Sequence, residues 1–580
     1  MFARVITTKG RKYLNIINSY REDGKIKQRV VANLGRVEEL NKNSIEGLAS
    51  KLLDIVKSEK ILKDRVLPDI EEIDRYNYGY IAYKNIWERY KLDEICNSLI
   101  KDTNIQYKFK NVVFSMVIDR LLKPKSKFAL FDNKDDYFNI NDDLKLHQIY
   151  RSLDILAKNK ESIETALFNR NKNLFNISTD IVFYDVTTFY YESKDENDLK
   201  KFGYSKDGKF GDVQVVMGML IDKNGLPIGY ELFSGNTMDT KTMIPILDKL
   251  KSRFSIDTVV IVADRGLNSK INLKAIKDAG YDYLMACKIK SMPKDIQDKI
   301  LDKDSYTNII NDEDSEDGLY SYKVMNYNNK IKYKEEIIDT RTNEIIFKNK
   351  EIVLNEKLIC TYSDKRARKD RYDRGRGLDK ANKIIQENQK SSITSIRSFK
   401  KYISKDTSSN DCNNFTMGLD WTKMKKDKLY DGFYAITTSK SDLDAIEVID
   451  NYHNLYKIED SFRVLKSTFN TRPIYHYKEN RIQAHFIICF IAFMIERDLE
   501  IRLKKSKAFK NRVITPNRVK EALNTLELSK VKIDNQIFYM KSNHTNSKDK
   551  LKFGREIHRF LRIPQLKNLN GEKEIINLFS

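Results

Sequence analysis

The stretch TDIVFYDVTTFYYES (residues 179–193), read with VVIVADRG (259–266) and YLMACKIK (283–290), decides the fold of this chain. Residues 181–184 form a short β-prone run that stops at Asp185. A second apolar run, VQVVMGMLI at 213–221, precedes Asn224-Gly225, a dipeptide suited to the positive φ angles of a tight hairpin. Residues 228–233 return as a third strand. The period then changes: after Asp239, an N-cap residue type, Met243, Ile244, Ile246, Leu247, Leu250 and Phe254 recur at helical spacing. The run TVVIVA at 258–263 is continuously apolar, as expected of a strand covered on both faces, and it ends at Asp264 before Arg265-Gly266. A helix over 268–279, stopped by Gly280, and a strand over 283–287 complete the series. The order predicts a three-stranded meander joined to βαβ units, with an aspartate at the end of two strands.

That order resembles the ribonuclease H-like fold, in which carboxylates at neighbouring strand ends hold divalent metal ions. Mg²⁺ is a hard ion that prefers oxygen ligands and keeps several waters, so one or two carboxylates plus a substrate phosphate suffice to bind it. Two such ions, roughly 3.5–4 Å apart, activate a water and stabilise the leaving oxygen of a phosphodiester. A third acid is then expected further along the chain.

The chain has 580 residues, enough for three or four domains. It carries 105 Lys+Arg against 83 Asp+Glu, a net charge of +22, which points to a polyanionic partner, nucleic acid being the commonest. A compositional bias with solvated lysines produces the same excess. The five cysteines, Cys96, Cys287, Cys360, Cys412 and Cys489, are odd in number and lack C-x-x-C spacing. This disfavours a disulfide framework or a zinc ribbon and fits a reducing cytosol. No secretory signal is visible. The longest apolar run, FIICFIAFMI at 486–495, is too short to span a bilayer and reads as a buried core helix. The expected location is cytoplasmic and nucleoid-associated.

Along the chain, residues 1–68 predict an N-terminal β-hairpin region, YLNIINS and IKQRVVANL flanking Glu22-Asp23-Gly24. Residues 69–176 read as helical, either a DNA-binding domain or core helices carrying the same apolar stripe. After the first part of the core (177–290), residues 291–428 predict a β-rich insertion, with β-prone runs at 331–339 and 351–361. It also holds the densest basic run, Lys365, Arg366, Arg368, Lys369, Arg371, Arg374 and Arg376. This is either a solvated helix face or a surface that tracks phosphates. The second part of the core (429–505) predicts a strand at 431–438, a long helix over 441–466 and the apolar helix over 481–504. Residues 506–580 read as a basic, helical C-terminal tail, VKEALNTLELSKV being its most helix-like stretch.

On the long helix, Tyr452, Glu459 and Lys466 stand seven residues apart. Seven-residue steps drift only about 20° on an α-helix, so the three share one stripe, with Arg463 a turn beyond Glu459. Ile449, Phe462 and Leu465 supply a packing stripe. One acid bracketed by an aromatic and two cations suits metal and phosphate binding; a surface helix with ion pairs carries the same pattern.

With Asp185 and Asp264 the set resembles the Asp-Asp-Glu triad of bacterial insertion-sequence transposases. It is similar in particular to the superfamily whose glutamate lies in a Tyr-x2-Arg-x3-Glu-x6-Lys signature. Leu455 stands at the signature's Arg position, and Arg463 offers a cation one turn after Glu459. The contexts YDVTTFYYES and VADRG and the YLN-to-ANLGR hairpin also resemble one branch of it. The gaps of 79 residues from Asp185 to Asp264 and 195 from Asp264 to Glu459 agree with that branch, whose insertion lies at the same place.

The resemblance implies an α/β ribonuclease H-like catalytic core with a mixed sheet. It also implies two Mg²⁺ ions, with Mn²⁺ as a substitute, on Asp185, Asp264 and Glu459. Cleavage at the ends of an insertion sequence would be followed by attack of the 3′-hydroxyl on target DNA. Tyr452, Arg463 and Lys466 would orient phosphates, with Arg265, Lys365, Arg366, Arg368 and Arg371 as further DNA-binding residues. The partners implied are double-stranded DNA (terminal inverted repeats and target) and a second copy of the chain, forming a homodimer that bridges two ends. A DNA nuclease without strand transfer and a non-catalytic DNA-binding regulator are the alternatives.

Overall fold

The computed structural model describes residues 2–8, 10–22, 25–38, 70–138, 140, 143–175, 180–309, 320–338, 345–386, 401–406, 416–533, 536–542 and 547–579. The turn expected at Asp23-Gly24 and the cysteine Cys412 lie outside the described residues. In chain order the strands are β1 (Phe2–Thr8), β2 (Arg11–Glu22), β3 (Lys25–Arg36), β4 (Ile70–Asn77), β5 (Ile181–Tyr190), β6 (Gln214–Asp222), β7 (Pro227–Ser234), β8 (Val260–Ala263) and β9 (Asp282–Ala286). They continue as β10 (Thr307–Ile309), β11 (Tyr320–Ile338), β12 (Ile345–Ser363), β13 (Ile403–Asp406), β14 (Thr416–Leu419), β15 (Phe433–Thr438), β16 (Glu527–Ile533), β17 (Gln536–Lys541) and β18 (Leu569–Gly571). The chain forms two compact units. The first comprises Met1–Ile177, Thr187–Asn236 and Glu459–Ser580; the second comprises Ser178–Val186 and Thr237–Ile458.

In the first unit, the N-terminal region is a three-stranded antiparallel sheet, β1-β2-β3, rather than a lone hairpin. The helices between residues 81 and 175 and the second half of β5, with the β6–β7 hairpin, surround the helix Glu479–Lys505. That helix is apolar on every side from Phe486 to Ile495 and is buried on every side, as such a helix must be. Phe486 meets Phe189 edge-on at 5.0 Å, and Phe490 lies 5.1 Å from Tyr230. No helix among the described residues is long and apolar enough to cross a membrane. The β6–β7 turn forms where Asn224-Gly225 predicted it, with Gly225 at φ 86°.

The C-terminal tail is not all helical. The helix Pro516–Asn524, capped by the Thr515 hydroxyl, gives way to β16, in which Leu528, Val531 and Ile533 are buried. β16 pairs with β4, and the order β18-β17-β16-β4 makes a four-stranded sheet. Val531, Ile533, Phe538 and Met540 pack against Val31 and Ala32 of β3. The stretch VKEALNTLELSKV therefore changes period midway, because its second half gains a strand partner far away in sequence.

In the second unit, the strand order is β10-β11-β12-β15-β9-β8-β5, a mixed sheet with helices. β8 is parallel to both β5 and β9, whereas β15 is antiparallel to β9 and β12. β8 is buried along its whole length, as its unbroken apolar run predicted. The insertion contains the long β11–β12 hairpin but also the helices Lys294–Leu301, Asp364–Gln386 and Trp421–Lys428. Its long hairpin joins the core: β12 pairs with β15 from Lys357↔Thr438 to Tyr362↔Phe433 and so widens the core sheet. Among the described residues, β13 and β14 form a separate two-stranded sheet.

The sequence predicts one helix over 441–466, and the chain departs from it. It forms the helix Ala445–His453, a turn at Asn454 and Leu455, the helix Tyr456–Arg463 and a π-helical turn, Val464–Thr468. The Asn451 and Asn454 side chains donate back to the carbonyls of Glu447 (2.8 Å) and Asp450 (2.9 Å), a local alternative to the helical ladder. Leu455 is buried, and its N–H donates to the Tyr452 carbonyl at 3.0 Å, a tightened step. The seven-residue spacing therefore no longer puts Tyr452, Glu459 and Lys466 on one stripe.

Candidate active site

Two of the three acids are set by strand register. Tyr184 of β5 pairs with Ala263 of β8 in the parallel ladder, so Asp185 and Asp264 are the next residues on adjacent strands running the same way. Neighbouring strands lie about 4.8 Å apart, and residues level with each other point to the same face. Asp185 is half-buried, and its Oδ1 accepts the Val186 N–H at 2.7 Å. Asp264 is exposed at the mouth of a turn closed by the Leu267 N–H to the Asp264 carbonyl (3.0 Å). Asn268 ties that turn to β9 by donating to the Ala286 carbonyl at 2.8 Å, and Ser269 caps the helix Lys270–Asp278 behind it. The sequence predicts that the strand stops at Asp185, but β5 continues to Tyr190 because its second half keeps a strand partner. Asp185 stands where the pairing with β8 ends, and two oxygen-only side chains so placed fit a hard divalent cation.

Tyr452 reaches Asp264. Its hydroxyl donates to Asp264 Oδ1 at 3.3 Å and lies 2.6 Å from the Tyr434 hydroxyl. Burial, followed by Tyr434 and Asp264, pushes the Tyr452 hydroxyl far above its ordinary range, so it stays a donor. Tyr434 is raised too, chiefly by burial. The Arg366 guanidinium stacks 4.2 Å above the Tyr434 ring. Arg366, Arg265 and Tyr434 share the wall of a cavity of about 840 Å³. Lys288, Arg376 and Lys380 also line it, while Arg374 is held in a bidentate pair with Asp431. Burial tends to raise Asp427 on the same wall, but Lys290, Lys401 and Tyr402 hold it down at about 2. Lys365, Arg368 and Arg371 are exposed on the helix Asp364–Gln386, outside the cavity lining.

Glu459, Arg463 and Lys466 belong to the first unit. Glu459 is exposed in the first turn of the helix Tyr456–Arg463. Arg463 is exposed and pairs loosely with Asp460 at 3.7 Å. Lys466, on the π-helical turn, is engaged: its ammonium donates to both oxygens of Asp207 at 3.2 Å, and Arg472 pairs with the same carboxylate. Burial lowers the Lys466 pKa, and Asp207 works against that shift. Among the described residues, no group of three or more His, Cys, Asp or Glu gathers closely enough to hold a metal ion. The structure thus brings Tyr452 to Asp264, with Asp185 level on the neighbouring strand, within one unit, and Lys466 to Asp207 in the other.

Sequence reading missed Tyr434, Asp207 and Arg472. Tyr434 carried a signal: in the alternation of FYAITT it faces opposite to Phe433 and Ala435, which pack in a core cluster. Asp207, in a loop of lysines and glycines, carried none.

The model of the transposase DDE domain matches residues 177–495, and that of the IS1634 family transposase N-terminal domain matches residues 3–65. Comparison with curated proteins found no match. Among solved structures, the chain is similar to a piggyBac transposase in a synaptic complex with hairpin DNA, at 8% identity and a TM-score of 0.34, over 79% of this chain and 82% of that one. It is also similar to a Mos1 transposase paired-end complex with the left transposon end, at 13% identity and a TM-score of 0.14, over 33% of this chain and 57% of the other. The Mos1 mariner paired-end complex with Mn gives 13% identity and a TM-score of 0.13, over 34% and 65%.

Proposed function

The chain belongs to the transposase DDE domain family, and from that premise we propose that it cuts DNA at the ends of an insertion sequence and joins those ends to target DNA. The observation that carries this reading is the level placement of Asp185 and Asp264 on parallel neighbours β5 and β8. These two, with Glu459 as the third acid of the signature, would hold divalent cations, Mg²⁺ or in its place Mn²⁺. When bound, two such ions ease deprotonation of a water and neutralise charge on the phosphodiester.

The chain's own groups do the rest. Tyr452 donates to Asp264 Oδ1 and limits the rotation of that carboxylate. Its hydroxyl keeps its proton, so it adds no negative charge beside the phosphate. Lys466 and Arg463 supply positive charge for the backbone of the DNA, Lys466 from a position fixed by Asp207. Arg265, Arg366 and the exposed Lys365, Arg368 and Arg371 hold flanking phosphates, and such binding weakens steeply with salt. Two copies pair two ends as a homodimer.

The test uses the purified full chain with Mg²⁺ and a supercoiled plasmid bearing the matching terminal repeats. Cleaved ends and integrants are expected. Products that are only linear would replace this reading with a nuclease. Binding to the ends without any cut by the wild-type chain would replace it with a DNA-binding regulator.

A further inference from the structure

The first unit carries a second surface that the chemistry at Asp185 and Asp264 does not use. The loop between β5 and β6 reads KKFGYSKDGKFG at 200–211, lysines alternating with aromatic rings and glycines. Tyr204 is 70% exposed and Phe210 62%, with ring centroids 6.0 Å apart. Tyr475 and Tyr477, from the segment after Arg472, are 64% and 73% exposed. Large apolar rings held in water at this density mark an interaction surface.

The loop is built to hold those rings in place. Ser205 is buried, and its hydroxyl accepts the N–H of Asp207 (3.3 Å) and of Lys209 (3.1 Å). Gly208 takes φ 74°, which lets the chain turn back between the two rings. Gln214 fastens the loop to the sheet through the carbonyls of Tyr204 (3.2 Å) and Gly235 (2.8 Å). Gly203 approaches so closely that a Cβ there would stand 2.1 Å from the Gly235 carbonyl oxygen. Lys200, buried, places its ammonium 5.5 Å from the centroids of both Tyr191 and Tyr477 and so ties the two segments together. Arg472 and Lys466 converge on Asp207 of this loop, and Lys209 lies over Tyr190 at 5.5 Å.

Exposed ring faces interleaved with fixed cations match one ligand chemistry: bases that stack, on a backbone that is negative. Bases inside a duplex have both faces covered, so these rings can be used fully only by nucleotides that are out of the helix. We propose that the β5–β6 loop, with Tyr475 and Tyr477, is a stacking surface for unpaired nucleotides of DNA. The proposal rests on the reading of the chain as acting on DNA and adds the form that DNA takes beside Lys466.

The test measures binding of the full chain to a short single strand containing 2-aminopurine and to the matching duplex. Wild type should quench the fluorophore. Tyr204→Leu with Phe210→Leu should weaken single-strand binding by about tenfold per ring, while duplex binding changes by less than about twofold. Because the rings are exposed, the variant should melt at the wild-type temperature; Lys209→Gln, which spares both rings, should retain the quench with weaker, salt-sensitive binding. An abasic strand or polyglutamate that competes as well as the normal strand would overturn stacking, as would an unchanged quench in the double variant. If wild type binds neither strand form nor duplex, it is the underlying DNA reading that fails.

Discussion

The two aspartates and the glutamate-lysine pair illustrate two ways of holding a charged side chain. Asp185, midway along β5, and Asp264, just past the end of β8, follow Tyr184 and Ala263, the last pair of a parallel ladder that fixes each Cα and leaves only a side-chain rotation. Glu459 and Lys466 stand on a helix interrupted at Asn454 and again by a π-helical turn. There the backbone fixes less, and Lys466 takes its position from a carboxylate, Asp207, in a distant loop. A strand ladder positions by register, whereas a broken helix positions by its partners. π-Helical turns within helices are frequent at functional sites.

The comparison breaks most sharply at the aspartates. Asp185→Ala and Asp264→Ala should each cut cleavage by on the order of 10³-fold or more, with end binding and melting temperature near wild type. Wild-type-like cutting by Asp185→Ala would remove it from the site. On the other side of the comparison, Lys466→Met should lower cleavage by about 10²-fold. Asp207→Asn should do part of that damage without touching the lysine, since burial then acts on Lys466 with less opposition. An inert Asp207→Asn in single-turnover assays would mean that the helix alone holds Lys466.

Tyr452→Phe tests how much the register leaves undone. It removes one hydrogen bond to a carboxylate, about 1 kcal/mol, and should slow cleavage roughly fivefold. A smaller change in Tyr434→Phe, which keeps the contact to Asp264, would confirm the order of the network.

The smallest effect on cleavage is expected from Glu496, in the first unit, where stability is the readout. Burial raises its carboxyl from the usual 4.5 to about 8, although Tyr83 donates to it at 2.6 Å. The folded state therefore binds this proton more tightly than the unfolded chain. The stability so gained is full below about pH 4.5 and is lost as the pH rises through about 8. Thermal melts of Glu496→Gln should be flatter than wild type between pH 6 and 9, and an unchanged slope would exclude Glu496 as the titrating group.

The sequence made the two aspartate-bearing strands legible because burial on both faces demands apolar runs, although β5 continues past Asp185 to Tyr190. TVVIVA before Asp264 and the run before Asp185 are of this kind. The core helix around FIICFIAFMI was legible for the same reason. The helix over 441–466 misled because periodicity counts side chains and does not see Asn451 and Asn454 folding back on the backbone. The C-terminal strands misled because β16 exists through its pairing with β17 and with β4, some 450 residues away. Nothing in the sequence of residues 291–428 shows that β12 would pair with β15.

By itself, then, the sequence determined what is local: the apolar runs that become buried strands and the core helix, the two acids that follow such runs, and the excess of positive charge. Only the tertiary structure decided which strands lie beside which, that Tyr452 and Tyr434 meet Asp264, and that Lys466 is held by Asp207. Those contacts depend on hydrogen bonds and burial between residues far apart along the chain, and no short window of sequence carries that information.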